Sequence, residues 1–409
     1  MIRIALVTIL AAWALSPTSA KSDPLIELGI DVLLESNSPY FPLVSGKRIG
    51  LVTNPSGVDR RLVPSVDRLA QDGRFSLVKL FGPEHGIRGQ IPAGESVADS
   101  RDPLTGIPVL SLYGTQKRPS SSALEGVDVI LFDIQDVGSR TYTYVSTLGE
   151  VMKACAETAK PLVVLDRPNP LGGLRFEGPM IEEAFRSFIG WGPLPVTHGM
   201  TVGEIARYFK SRLDIDCDLH VVPMKGWRRD MTWEKTGLTW TVTSPHIPGV
   251  TQAMLYTTTG MVAATLHDLS EGVGSTMPFE IVAAPFIDAA SFEKALRTRS
   301  LPGIQPQAIH FKPFYGRYRD TVLHGVRLHI TNPGALQPLR TAVEILTTLK
   351  ALFPQHFKIK DDREIGIHWG SLRIKDELTS DRSPDDIAAG WQRDTARFAV
   401  DRQQALLYD

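Results

Sequence analysis

The chain has 409 residues, of which 43% are hydrophobic and 22% charged, with a formal net charge of −1. That length suffices for two or three domains with substantial cores, and the composition is that of an ordinary globular protein. The near-neutral balance supplies no electrostatic argument for nucleic acid or an acidic membrane surface, and neither is expected as a partner.

The N-terminus reads as a secretory signal over residues 1–20. Arg3 gives the positive start, residues 4–15 form an apolar core of roughly a dozen residues, and Pro17, Thr18, Ser19 and Ala20 precede a cleavage point. The run is short of the about 20 apolar residues a membrane span requires, and no later segment reads as one. The mature protein is therefore expected in a periplasm or outside the cell, with no membrane span after cleavage. Export permits a disulfide. However, Cys155 falls on a predicted helix and Cys217 near a predicted strand start, so two core thiols are at least as well supported as a bridge. Two cysteines without CxxC spacing give no zinc signal.

From residue 21 to 242 short apolar runs alternate with helical patterns. Strands are predicted at 47–53, 76–81, 108–112, 127–133, 161–166 and 219–224, several nearly continuous in Val, Ile and Leu, as in strands covered on both faces. Helices are predicted at 62–72, 142–158 and 201–213, the last opening with Thr201 and Glu204 at capping-box spacing. This alternation implies an α/β domain with a mostly parallel, doubly wound sheet. Residues 244–249 read as a rigid connector. The remainder, 243–409, reads as a smaller α+β domain. It holds a helical or loop stretch at 251–266, strands at 279–284, 307–314 and 325–330, and a helix near 290–298. Long helices follow at 338–352 and 384–407. A cleft between the two domains is expected.

The strand ends carry the chemistry. Asn54 follows the first strand. Gly82-Pro83-Glu84-His85-Gly86 follows the second, with Arg88 and the polar loop holding Glu95 close behind. Asp133, Asp136 and Arg140 follow the fourth, and Asp166, Arg167 and Asn169 the fifth. Any one of these suits a turn for backbone reasons alone. Several polar ends on the carboxyl edge of one open sheet point to a site, because open α/β sheets bind ligands there. The phosphate fingerprints GxGxxG and GxxxxGK[ST] are absent, and so is the GxSxG elbow of serine hydrolases. Glu84, His85, Asp133, Asp136, Asp166 and His198 are possible metal ligands, but no HExxH or HxH spacing supports a metal, and no cofactor is expected.

Carboxylate-based glycoside hydrolysis fits better, since it uses one protonated carboxylic acid and a second, anionic group. Glu84, between Pro83 and glycines, is the leading acid; its structural alternative is an ion pair with Arg88. Glu271, in the glycine-rich loop 269–276, and Asp136 are candidates for the second group. His85 is either a substrate-orienting or a hydrogen-bonded loop residue. Arg88, Arg140 and Arg167 are candidates for gripping an acidic sugar. Tyr142, with Tyr144, and the tryptophans Trp191 and Trp227 are either sugar-stacking or core residues.

The runs 50–57, 80–89, 132–138, 140–144, 164–170, 198–204, 222–227, 269–272 and 277–280 occur in one order. Together they resemble the exo-β-N-acetylmuramidase (NamZ) family of peptidoglycan hydrolases over about residues 25–408. The resemblance implies a secreted enzyme that removes terminal N-acetylmuramic acid from the non-reducing end of peptidoglycan fragments. It further implies a Rossmann-like domain whose site lies in a cleft against a C-terminal domain, with Glu84 as the proposed catalytic glutamate. The other matching positions, including His198, are candidates for substrate binding. One position departs from the family pattern: an arginine is expected where this chain has Val273. Two rival readings are a non-catalytic protein that binds wall fragments and a metal-dependent hydrolase of another wall bond. The sequence leaves the oligomeric state open.

Overall fold

The computed structural model describes residues 26–89, 99–380 and 382–409. The expected signal segment and Glu95 lie outside them. Seven strands form the first sheet: β1 (Arg48–Thr53), β2 (Ser76–Gly82), β3 (Ser100–Arg101), β4 (Pro108–Ser111), β5 (Val129–Asp133), β6 (Leu162–Leu165) and β7 (Leu219–Val222), in the order β3-β4-β2-β1-β5-β6-β7. All neighbours are parallel except the short edge strand β3. The chain builds outward from β1 to β2 and β4 on one side, then returns to β5 on the other. The switch point therefore lies between β1 and β5, where Thr53 pairs with Asp133. Ligand crevices of doubly wound sheets form outside the carboxyl ends of strands at such a point.

Strand side chains alternate between two cores, as the period of two requires. Ile49, Leu51, Val129 and Leu131 pack under α1 (Gly29–Leu34) and α2 (Ser65–Gln71). Val52, Ile130 and Phe132 pack under α3 (Tyr144–Glu157) and α4 (Val202–Arg212). The capping box at α4 forms as expected: the Glu204 amide donates to the Thr201 hydroxyl at 3.3 Å and the Thr201 amide to the Glu204 carboxylate at 3.1 Å.

The connector leads into α5 (Val250–Thr265), a helix buried nearly all round. Beyond it β8 (Ile281–Ala284), β9 (Ile304–Phe311) and β10 (Leu323–Ile330) form an antiparallel sheet in the order β8-β10-β9. On it packs α6 (Ala289–Arg297), against β9 and β10; α7 (Pro338–Leu352) packs on α5 and α6, and α8 (Asp362–Trp369), α9 (Arg373–Thr379), α10 (Pro384–Ala389) and α11 (Gln392–Asp401) complete the chain.

The single helix expected at 384–407 is broken at Gly390. Ile387 and Trp391 face the second core, whereas Phe398 and Ala405 return to the first. One straight helix cannot serve both. Among the described residues no helix is long and apolar enough to cross a membrane. Cys155 and Cys217 are buried free thiols.

Candidate functional site

The loop after β2 is the most constrained of the strand ends. His85 has φ +74° and Gly86 φ +75°. The left-handed region costs a non-glycine residue energy, and such strain gathers at functional loops. The turn is closed by the Gly86 amide donating to the Pro83 carbonyl at 2.9 Å. The Glu84 carboxylate accepts from the Thr143 hydroxyl at 3.3 Å and from the Tyr113 phenol. Burial and the Glu84 charge push that phenol up to about 12, so it stays a donor.

Asp136, after β5, accepts the Gly138 amide at 2.6 Å on Oδ2 and faces His198 Nε2 at 3.2 Å. The Met200 amide donates to His198 Nδ1 at 3.2 Å, which assigns the ring proton to Nε2 and makes it the donor to Asp136. The other oxygen, Oδ1, is buried with no hydrogen-bond partner among the described residues. A buried carboxylate oxygen without a donor is costly and marks a place where a further polar group is needed.

Glu271 comes from the other half of the chain. Its loop is braced: the Phe279 amide donates to the Glu271 carbonyl at 2.6 Å, and Ser270 bridges to Ala283 on β8. Gly272, at φ +92°, allows the turn, since a Cβ there would lie 2.2 Å from the Met277 carbonyl oxygen. Glu271 lines a cavity of about 410 Å³ with Tyr256, Phe279, Arg317, Lys360 and His368, and with Thr141 from the strand-end loop. Burial raises the Glu271 carboxyl above its ordinary range. Val273, where an arginine was expected, lines the same cavity.

Tyr256 joins the two sides. Its phenol donates to the Thr141 carbonyl at 3.3 Å. It is pushed up to about 12, first by burial and then by the charges of Glu84, Asp136 and Glu271. The three carboxylates nominated from the sequence thus all act on this one phenol through their charge. Its ring packs edge-on to Tyr142 at 5.2 Å and against Phe279 at 4.9 Å. Tyr256 carries no motif; it sits among threonines, alanines and methionines in the helix directly after the connector, with nothing in its spacing to mark it.

Most other nominated residues serve the scaffold. Arg88 does not pair with Glu84; it is held by Asp102 and Asp67, both at 2.9 Å. Arg167 donates to Asp133 and to the Val58 carbonyl, both at 2.6 Å. Arg140 has no exposed surface. It donates to the carbonyls of Pro179, Leu194 and His368, and burial pulls its guanidinium down to about 9.

Asp166 accepts from the Gly203 amide, the Thr201 hydroxyl and the Tyr408 phenol. Asn169 braces a turn through the Leu171 amide and the Met200 carbonyl. Asn54 ties the end of β1 to the connector through the Thr243 carbonyl at 3.1 Å, and the Tyr142 phenol donates to the Thr243 hydroxyl at 2.9 Å. Trp227 packs on Tyr408, and Trp191 packs on Phe209. Among the described residues no group of three or more His, Cys, Asp or Glu side chains could hold a metal ion.

The chain is similar to known proteins along nearly its whole length. The profile of the exo-beta-N-acetylmuramidase NamZ N-terminal domain matches residues 49–251, and that of the C-terminal domain matches residues 254–408. The peptidoglycan beta-N-acetylmuramidase NamZ of Bacillus subtilis (strain 168) is 40% identical over 404 residues, covering 98% of this chain and 96% of the relative. A crystal structure of a DUF1343 family protein from Bacteroides fragilis NCTC 9343 superposes with a TM-score of 0.86 at 37% identity, covering 94% of this chain and 99% of that one. A second DUF1343 family protein from the same organism gives 0.73 at 27% identity, with the same coverage. Matched by both profiles and by a relative along nearly its whole length, the chain belongs to the exo-beta-N-acetylmuramidase NamZ family.

Proposed function

We propose that this protein is a glycoside hydrolase that removes terminal β-linked N-acetylmuramic acid from the non-reducing end of peptidoglycan fragments. It acts in a periplasm or outside the cell after loss of residues 1–20, and its two working parts divide near residue 242. The observation that carries the reading is a cavity large enough for one pyranose, lined by Glu271, Tyr256 and Thr141 of the strand-end loop, with Tyr256 in the electrostatic reach of Glu84 and Asp136. The identity to a protein named as a peptidoglycan beta-N-acetylmuramidase gives the sugar.

Glycosidic cleavage needs a proton on the leaving oxygen and negative charge near the oxocarbenium-like carbon. Glu271, raised by burial, suits the proton donor. Glu84, supplied with two hydroxyl donors, suits the anion that stabilises the sugar cation or positions the acetamido group as internal nucleophile. This reverses the allocation drawn from the sequence, which gave Glu84 the proton. Tyr256, its phenol anchored on the Thr141 carbonyl, lies within the electrostatic reach of all three carboxylates. His198 fixes the buried Asp136 carboxylate, whose charge reaches Tyr256. The test is release of a chromogenic aglycone from a β-N-acetylmuramide. Tight binding without turnover would instead favour a wall-fragment binding protein, and loss of activity in chelator a metal-dependent hydrolase.

A further inference from the structure

We infer that residues 313–318 carry the subsite for the leaving sugar: Phe314 and Tyr315 form an aromatic platform on which the pyranose beyond the scissile bond stacks. This rests on the hydrolytic reading above. Among the described residues, Phe314 (59% exposed) and Tyr315 (40% exposed) are the only large aromatic side chains left open to solvent, and they adjoin in sequence. Their ring centroids lie 5.3 Å apart. Exposed aromatic surface is retained where a ligand covers it, and aromatic rings suit the apolar face of a pyranose.

The loop is fixed in place. The Phe314 amide donates to the Gly274 carbonyl at 2.8 Å. Gly274, at φ +97°, gives the strap room, because a Cβ there would lie 2.3 Å from the Tyr315 carbonyl oxygen. The Tyr315 hydroxyl lies 2.8 Å from His246 Nε2, and the two rings stack at 19°.

The loop also reaches both sides of the site. Its Arg317 and Tyr318 line the cavity that holds Glu271. His246 lies within the electrostatic reach of His85, the neighbour of Glu84. An enzyme that encloses one terminal sugar must lead the rest of the chain out over the edge of its cavity. Phe314 and Tyr315 directly precede Gly316, Arg317 and Tyr318, which line that cavity. The ligand class is an uncharged N-acetylhexosamine pyranose.

The experiment compares the full-length wild type with Phe314→Ala and Phe314→Trp. One substrate is a disaccharide of N-acetylmuramic acid β-linked to N-acetylglucosamine. The other is the β-fluoride of N-acetylmuramic acid, which has no leaving sugar. Phe314→Ala should lower kcat/KM on the disaccharide by about threefold to tenfold, the loss of one stacking contact. The fluoride rate should be unchanged, and Phe314→Trp should restore the disaccharide. Equal losses on both substrates, or no loss on the disaccharide, would overturn the platform. Should the wild type cleave neither substrate, the hydrolytic reading fails, and titration with N,N′-diacetylchitobiose decides the platform alone. Weaker binding by Phe314→Ala then supports it, and identical or absent binding overturns it.

Discussion

Glu271→Gln separates the chemistry of this site from its stability. Glutamine keeps the shape of the side chain and removes the proton that Glu271 is proposed to deliver. General acid catalysis contributes about 10²–10⁴-fold, equivalent to about 2.7–5.4 kcal/mol of barrier, and kcat/KM on a β-N-acetylmuramide should fall by that factor. The effect on folding runs the other way. Burial raises the Glu271 carboxyl above 4.5, so the native state holds its proton more tightly than the unfolded chain. Stability from this group is present below the unfolded pKa and is lost as pH rises through the folded one. At neutral pH the ionised form therefore counts against the fold, and glutamine relieves that penalty. The variant should melt at or above the wild-type Tm while losing its activity. Across pH, the wild-type rate should decline on the alkaline side as Glu271 deprotonates, and the residual rate of the variant should lack that decline. Retention of most of the activity, or a large drop in Tm, would refute the reasoning.

Three further outcomes follow from the scaffold. Arg140→Met removes three donors to buried carbonyls and should cost about 2–4 kcal/mol in urea unfolding, with KM unchanged in the folded fraction. Asp166 is raised to about 6 by burial, so its contribution to wild-type stability should diminish as pH rises from about 4 to 6. Asp166→Asn should lack that slope and lose about 1–3 kcal/mol, because the amide meets donors where the carboxylate accepted. With Cys155 and Cys217 as thiols, thiol titration of the unfolded, unreduced protein should count two, and dithiothreitol should leave the Tm unchanged.

The parallel sheet was legible because its strands are short runs of Val, Ile and Leu bounded by Gly, Pro and Asn, a pattern that few other structures produce. Helix α4 was legible because Thr201 and Glu204 are a local signal. Helix α1 was not: six residues are too few for a periodic pattern, and its place is set by Gly29 closing on the backbone of Asp166. The break at Gly390 was hidden because its cause, two different cores claiming Trp391 and Phe398, is tertiary.

The same division holds for the site. Glu84, Asp136 and Glu271 stood out as carboxylates in glycine-rich loops. The arginines misled because a guanidinium at a strand end looks the same in sequence whether it faces a ligand or, like Arg140, the carbonyls of a buried turn. Tyr256 was invisible because its significance lies only in what surrounds it across the fold.

The central claim is tested most directly by incubating the wild type and Glu84→Gln with a chromogenic β-N-acetylmuramide. The wild type should release the aglycone, and a Glu84→Gln protein of unchanged Tm almost none. No release by the wild type, or equal release by the two, would contradict it.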